Sequence, residues 1–249
     1  NKNIILMISK QQIKFINSLK RNKNRLQSNC FIAEGVNIVE DLLKSNFFIE
    51  TLFATKEWSL KHPNKECNIV SQQELKKISY LKSPNDVLAI VTRKNYLYQK
   101  SALKKLKKII VLDNISDPGN MGTIIRTADW FGYNHIFVSH NCVDYYNPKV
   151  VQSSMGSIFR VSISKVNALD FLLDSASLGF KSFGASLSGV NIYEIIMPDQ
   201  YVMVFGSESH GISIDVQSML DEQISIPSSN DSIDSLNVAV AFGIILSEI

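Results

Sequence analysis

The sequence predicts an α/β protein in two parts, a doubly wound and mostly parallel sheet at the C-terminal end preceded by a smaller α/β domain. Short apolar runs alternate with stretches of helical spacing along nearly all of its 249 residues, the pattern of β-α-β units. In the C-terminal part these runs are continuously apolar, as strands covered on both faces are. Charge also divides the chain: residues 1–108 hold 21 Lys and Arg against 8 Asp and Glu, whereas residues 109–249 hold 5 against 15. Such asymmetry points to an N-terminal part that faces a polyanion and a C-terminal part with another task.

Ile13, Ile16 and Leu19 stand at helical spacing in the first helix, which gives way to a basic loop holding Lys20, Arg21, Lys23 and Arg25. The runs FIAEG, IETLFAT, CNIV and VLAIVT read as strands, with VNIVEDLLKS and SQQELKKIS as helices among them. Ser71 and Glu74 make a capping box, because each side chain can satisfy a free amide at the helix start. A polar, lysine-rich stretch at 93–108 marks the boundary, so domains are expected at 1–98 and 109–249 with a basic linker at 99–108. Beyond it KIIVLDN is a buried strand, GNMGTIIRTADWFG a helix closed by Gly132, and HIFVS the next strand. Asn147 as N-cap and Pro148 at the first helical position open a helix over NPKVVQSSMGSIF, leading into the strand RVSIS. NALDFLLDSAS and SIDVQSML follow as helices, GFKSFGASL, YVMVFG and EQISIP as strands, and SLNVAVAFGIILSEI as the closing helix.

With 45% hydrophobic residues the chain can bury real cores, and no apolar run reaches the roughly 20 residues that cross a bilayer. The opening NKNIILMISKQQIKF lacks the small-residue cleavage site of a signal peptide. Three cysteines (Cys30, Cys67, Cys142) and four histidines (His62, His135, His140, His210) fall at neither disulfide nor metal-ligand spacing. A soluble cytoplasmic protein without a metal or a membrane partner is expected.

Three loops, each after a predicted strand, concentrate the polar residues: DNISDPGNMGTIIRTAD, GSESHGIS and IPSSNDSIDSLNVAVA. A parallel sheet brings such loops to one edge. GNMG lacks the third glycine of the dinucleotide fingerprint and the Gly-Lys-Ser/Thr of the phosphate loop. GSESHGIS sets Ser209 beside His210, but a hydrolase nucleophile turn needs glycine two residues to either side, and Ser207 occupies one of those places.

Together and in this order the loops resemble the SpoU (TrmH) family of AdoMet-dependent RNA ribose 2′-O-methyltransferases, within the knotted SPOUT methyltransferases. The family's Asn-x-Gly followed by Arg-Thr-Ala is matched by Asn120, Gly122, Arg126, Thr127 and Ala128. Its Gly-x-Glu-x-x-Gly is matched by Gly206, Glu208 and Gly211, and its proline with Ser-Leu-Asn-Val by Pro227, Ser235, Leu236, Asn237 and Val238. The helix NPKVVQSSMGSIFR is similar to one between the family's first two motifs. Residues 9–43, with Glu34 and Gly35, are similar to the start of its substrate-binding domain, which is ribosomal-protein L30e-like. Ser228 and Ser229 depart from the bulkier or glycine-bearing family pattern, which bears on the shape of the pocket wall.

The resemblance implies a C-terminal α/β knot, a deep trefoil, and a homodimer paired through it. It implies S-adenosyl-L-methionine (AdoMet) as cofactor, held largely by backbone around Ala185, Ser186, Leu187, Gly206, Gly211, Ile226 and Leu236. The implied reaction is methyl transfer to a ribose 2′-hydroxyl of 23S ribosomal RNA. A transfer RNA substrate and a non-catalytic RNA-binding or ribosome-assembly factor are the alternatives. Arg126, Asn120, Glu208, Ser235 and Asn237 are the implied catalytic residues. Arg126 either activates the 2′-hydroxyl or, as an always-charged fork, grips RNA phosphate and orients the ribose. Asn120 reads as helix N-cap and substrate contact together, and Glu208 as a hydrogen-bonding support for Asn237 and Arg126. Ser235 and Asn237 precede the last helix, where Ser is a common N-cap. Asp117 and Pro118 read as turn formers, and Ser209 and His210 as loop surface. Lys20, Arg21, Lys23, Arg25 and Arg160 are candidates for binding RNA phosphate.

Overall fold

The computed structural model describes residues 7–230, Ser232 and 235–249; residues 1–6 and Asp231, Ile233 and Asp234 of the last loop lie outside the described residues. Two compact units emerge, Asn1–Lys94 with Asp144–Phe159, and Asn95–Val143 with Arg160–Ile249.

The first unit begins with α1 (Lys10–Ser18), α2 (Asn22–Ser28), β1 (Cys30–Glu34), α3 (Val36–Lys44) and β2 (Ile49–Ala54). It continues through α4 (Lys56–Lys61), β3 (Asn68–Ile69), α5 (Gln72–Ile78) and β4 (Val87–Thr92). Ser71 and Glu74 do form the capping box of α5, and Ser9 with Gln12 forms another at α1. The four-stranded sheet runs β1-β4-β2-β3, with β4 antiparallel to both β1 and β2 and β3 parallel to β2. Ile16, Leu19, Ile32, Phe53, Leu75, Ile78 and Leu88 fill the core between helices and sheet.

The basic loop expected at Lys20–Arg25 is largely helix, and it divides by burial. Lys20, Arg21 and Lys23 are exposed, whereas Arg25 is 1% exposed. Arg25 Nε and Nη2 both donate to Asp144 Oδ2 at 2.7 Å, and Nη1 donates to the carbonyls of Leu19 and Lys20. Arg25 is therefore corrected from an RNA contact to an internal tie, because every edge of its guanidinium meets protein. Asp144 is shared with Arg93, whose Nη2 lies 3.4 Å from Oδ1.

Residues 144–159 fold with this unit rather than with the segments flanking them in sequence. Tyr146 stacks on Phe31 at 4.3 Å between centroids, and Phe159 meets Phe47 edge-on at 5.3 Å. Asn147 caps α8 (Pro148–Ser153) as expected, but the helix ends there instead of running through NPKVVQSSMGSIF. Met155 and Gly156 take positive φ, and a Cβ on Gly156 would lie 2.2 Å from Asp41 Oδ2, so the chain turns where only glycine fits.

In the second unit, α6 (Lys100–Leu103) lies where a basic linker was expected. Leu103 is fully buried in the core, Tyr98 Oη donates to Asp174 Oδ2 at 2.9 Å, and Lys100 pairs with the same carboxylate at 2.9 Å. Then come β5 (Lys108–Leu112), α7 (Pro118–Trp130), β6 (His135–Ser139), β7 (Ser162–Val166), α9 (Ala168–Ala176) and β8 (Lys181–Asn191). β9 (Tyr201–Phe205), α10 (Ile214–Gln217), β10 (Glu222–Ser225) and α11 (Val238–Glu248) close the chain. The six-stranded sheet has the order β10-β8-β9-β5-β6-β7, and every pairing is parallel. From β5 the chain winds toward β6 and β7, then returns to the other side through β8 and β9. The strand order thus reverses between β5 and β9, which is where an open parallel sheet leaves a crevice beyond its carboxyl ends. No described helix is long and apolar enough to cross a membrane.

Removing the Asp144 carboxylate would leave Arg25 charged and enclosed. Asp144→Ala is expected to destabilise the first unit by about 3–5 kcal/mol, as broken buried pairs do. Urea unfolding followed by Trp58 fluorescence in a Trp130→Phe background checks this.

Candidate functional site

The three polar loops leave the carboxyl ends of β5, β9 and β10, and their side chains meet in one hydrogen-bonded triangle. Asn120 Nδ2 donates to Glu208 Oε2 at 2.9 Å, and Asn237 Nδ2 donates to Asn120 Oδ1 at 2.9 Å and to Glu208 Oε2 at 3.2 Å. Asn237 Oδ1 faces the other way and accepts from the amides of Ala239 and Val240, capping α11. This cap fixes the triangle's polarity: with Oδ1 committed to the helix, Nδ2 must point at Asn120 and Glu208. Asn120 in turn must offer its oxygen to Asn237 and its amino group to Glu208. An aspartate at either position would set a second carboxylate against Glu208.

The expected cap assignments change. Asp117 is the N-cap of α7, accepting from the Asn120 amide at 2.8 Å, with Pro118 at the first helical position. Asn120 sits inside the first turn, so its side chain is free for the triangle. Asn237, not Ser235, caps α11, and Ser235 is exposed. The signal for the first of these was in the sequence: an Asp directly before a Pro is a helix start as well as a turn. Among the described residues Glu208 meets Asn120 and Asn237 rather than Arg126. Arg126 lies exposed on α7, on the solvent side that also carries Thr123 and Trp130.

The Glu208 turn is held by backbone. The amide of Ser207 donates to the carbonyl of Gly211 at 2.9 Å, and the amide of Gly211 returns a bond to Ser207 at 2.9 Å. Gly211 has φ +68, and a Cβ on Gly206 would lie 2.0 Å from the carbonyl carbon of Gly211. Both glycines are therefore required by the turn itself. Ser209 Oγ and His210 Nδ1 are 2.9 Å apart at the exposed tip, but among the described residues no carboxylate orients the imidazole as a hydrolase triad needs.

The predicted cofactor-binding positions fall on adjacent strand ends. Ala185 and Ser186 are half-buried and Leu187 is exposed, all beyond Gly184 in β8. There the pairing with β10 jumps from Gly184↔Gln223 to Val190↔Ile224, so residues 185–189 bow out of the ladder. Gly206 is buried at the end of β9, half-buried Ile226 follows β10, and Leu236 is 45% exposed before α11. Of the two serines that replace the expected third-loop pattern, Ser228 serves the loop locally, its Oγ donating to the Asn230 carbonyl at 2.9 Å. α11 packs on α7, and Phe242 meets Phe205 at 4.7 Å beneath the triangle. Arg160 donates from Nε to Asp129 Oδ2 at 2.7 Å with about half of its side chain exposed, so it stands beside α7.

With this geometry in view, the description SpoU rRNA Methylase family matches residues 107–247, and MRM3-like substrate binding domain matches residues 10–89. The chain belongs to the SpoU rRNA methylase family. The 23S rRNA (guanosine(2553)-2′-O)-methyltransferase RlmP of Bacillus subtilis is 26% identical over 95% of this chain and 94% of its own. Among solved structures, a TrmH-family protein from Porphyromonas gingivalis described as an RNA methyltransferase is 33% identical, with TM-score 0.85 over 98% of both chains. An AdoMet-bound rRNA methyltransferase from Sinorhizobium meliloti is 27% identical, with TM-score 0.83 over 95% of this chain and 92% of its own. In this SpoU-family chain the three family motifs and the three corners of the triangle coincide.

Gly206→Ala is expected to lower stability by about 1–3 kcal/mol, the usual cost of forcing atoms into filled space, and to open the 207–211 turn to proteases. Ser209→Ala, at the exposed tip, should stay within about 0.5 kcal/mol of the unsubstituted protein. Thermal denaturation and limited proteolysis of the two variants check this.

Proposed function

We propose that this protein transfers the methyl group of AdoMet to a ribose 2′-hydroxyl of 23S ribosomal RNA. The single observation that carries the reading is the Asn120–Glu208–Asn237 triangle, which joins the three family motifs at the sheet's switch point. The residues present fit the cofactor: the bowed backbone at Ala185–Leu187, the backbone at Gly206 and the apolar side chains of Ile226 and Leu236 are the surface we assign to it. Gly211 completes it by holding the turn. When bound there, AdoMet supplies an electrophilic methyl on a sulfonium.

The chain's own residues then have to bind and orient the RNA. Arg126, exposed on α7, presents a planar guanidinium fork that grips a phosphate and turns the adjoining ribose toward the methyl; as the oxygen–methyl bond forms and the sulfur–methyl bond breaks, the hydroxyl proton passes to water. Asn120 and Asn237 hold their loops in register, and Glu208 anchors both amides. Ser235, exposed before α11, is assigned here to contact with the substrate. Lys20, Arg21 and Lys23 on the first unit give affinity through phosphates, and half-exposed Arg160 adds to this from the second. Proximity and orientation thus carry most of the rate enhancement.

The reading extends to a cytoplasmic homodimer paired through a knotted C-terminal end, with residues 1–98 forming an RNA-binding domain like a ribosomal protein. The return of α11 onto α7 and the exposure of Leu236 and Val240 beside the site support it.

Incubation with methyl-tritiated AdoMet and unmodified ribosomal or transfer RNA, followed by digestion to nucleosides, is expected to place label on a 2′-O-methylnucleoside of ribosomal RNA. Arg126→Ala should abolish that label while calorimetry still detects AdoMet binding; label in the variant equal to that of the unsubstituted protein refutes the role. Replacing Lys20, Arg21 and Lys23 together by alanine should reduce the slope of log affinity against log salt by about 2, the loss of three single-strand phosphate contacts. Filter binding across a salt series measures it.

A further inference from the structure

Asp113 is a carboxylate that the proposed chemistry does not use, standing one residue beyond β5 and only 3% exposed. Its amide donates to the carbonyl of Phe205, the last residue of β9, at 2.8 Å, which carries the β5/β9 ladder one step past β5. Its Oδ2 accepts the backbone amide of Ser213 at 2.9 Å. Phe205 and Ser213 are the residues on either side of the 206–212 turn, so Asp113 holds both of its ends. Between them the turn closes through the Ser207–Gly211 pair, buries Ile212 in the core and presents Glu208 at its tip.

We propose that Asp113 is a positioning residue for the Glu208 turn, and that its tether to the Ser213 amide sets where Glu208 meets Asn120 and Asn237. A buried carboxylate with a single backbone donor across 100 residues of chain is a costly way to fix a loop unless the position of that loop matters. The two Asn side chains cannot set it alone, because they bond to the carboxylate only once the turn has brought it within reach. The effect on methyl transfer rests on the function proposed above; the tether itself does not.

Ser213 allows the bond to be removed from the other side. It has φ −58 and its side chain makes no cap bond, so Ser213→Pro deletes the amide hydrogen at a φ that proline prefers. Asp113→Ala removes the acceptor, and Asp113→Asn keeps an oxygen that can accept. With the full-length protein, Asp113→Ala and Ser213→Pro should each lower kcat about tenfold or more, leave the KM for RNA within about twofold, and together cost no more than either alone. Asp113→Asn should stay within about threefold of the unsubstituted rate. Hydrogen exchange over 206–213 should speed up about tenfold in the first two variants and not in the third, whether or not methyl transfer is detected. Unchanged exchange and kcat in Asp113→Ala and Ser213→Pro, or Asp113→Asn as impaired as Asp113→Ala, overturns the proposal. An inactive unsubstituted protein with the expected exchange pattern would instead refute the functional reading and leave the tether standing. Should Asp113→Ala fail to fold, Ser213→Pro against Asp113→Asn decides the question.

Discussion

The candidate site depends on one asparagine having its side chain oriented by a helix. Asn237 caps α11 with its oxygen, and that commitment leaves its amino group to bind Asn120 and Glu208. A helix terminus, with its unsatisfied amides, thus decides which way a side chain in the site must face. Three loops separated by long stretches of chain are drawn together as a consequence. Each hydrogen bond is worth only about 0.5–1.5 kcal/mol net, or somewhat more where it meets the Glu208 carboxylate. Their value lies in geometry, because the groups hold one another in a single arrangement.

The parallel sheet makes that arrangement possible at low cost. β5 and β9 are neighbours, so the Asp117–Asn120 turn and the Glu208 turn start side by side, and β10 lies two strands beyond β9. Backbone carries the rest: Gly206 admits the Gly211 carbonyl group where any Cβ would collide, and β8 bows outward at residues 185–189. A cofactor held mainly by backbone needs small residues and strand ends rather than a set of charged side chains. The acidic balance of residues 109–249 is compatible with such a site, while the excess of positive charge lies in residues 1–108, where Lys20, Arg21 and Lys23 are exposed.

Much of this was legible in the sequence, and the failures have a common cause. Strands, the Ser71–Glu74 capping box and the Asn147-Pro148 helix start depend on neighbours a few residues away, and the structure has them where the sequence places them. Arg25 read as a surface cation because its partner, Asp144, lies 119 residues on. Leu103 sat in a lysine-rich stretch that looked like a linker, yet its side chain is buried among residues of a sheet that the stretch itself introduces. The N-cap roles of Asp117 and Asn237 were assigned to their polar neighbours, since composition does not say which of several polar residues meets the free amides. Glu208 was expected to support Asn237, and does, but its second partner is Asn120 and not Arg126, a matter of side-chain direction that only coordinates reveal.

The most direct measurement is a double-mutant cycle on Asn120→Ala and Asn237→Ala, read as urea midpoints and as methyl-transfer rates for the single and double variants. Coupling through the triangle should make the double variant less costly than the sum of the singles by about 0.5–3 kcal/mol, the range for residues sharing one hydrogen-bonded network. Because the α11 cap is lost in both Asn237→Ala arms, its contribution cancels. Strict additivity would mean that the three loops are held independently, and the account of a mutually oriented site would be wrong.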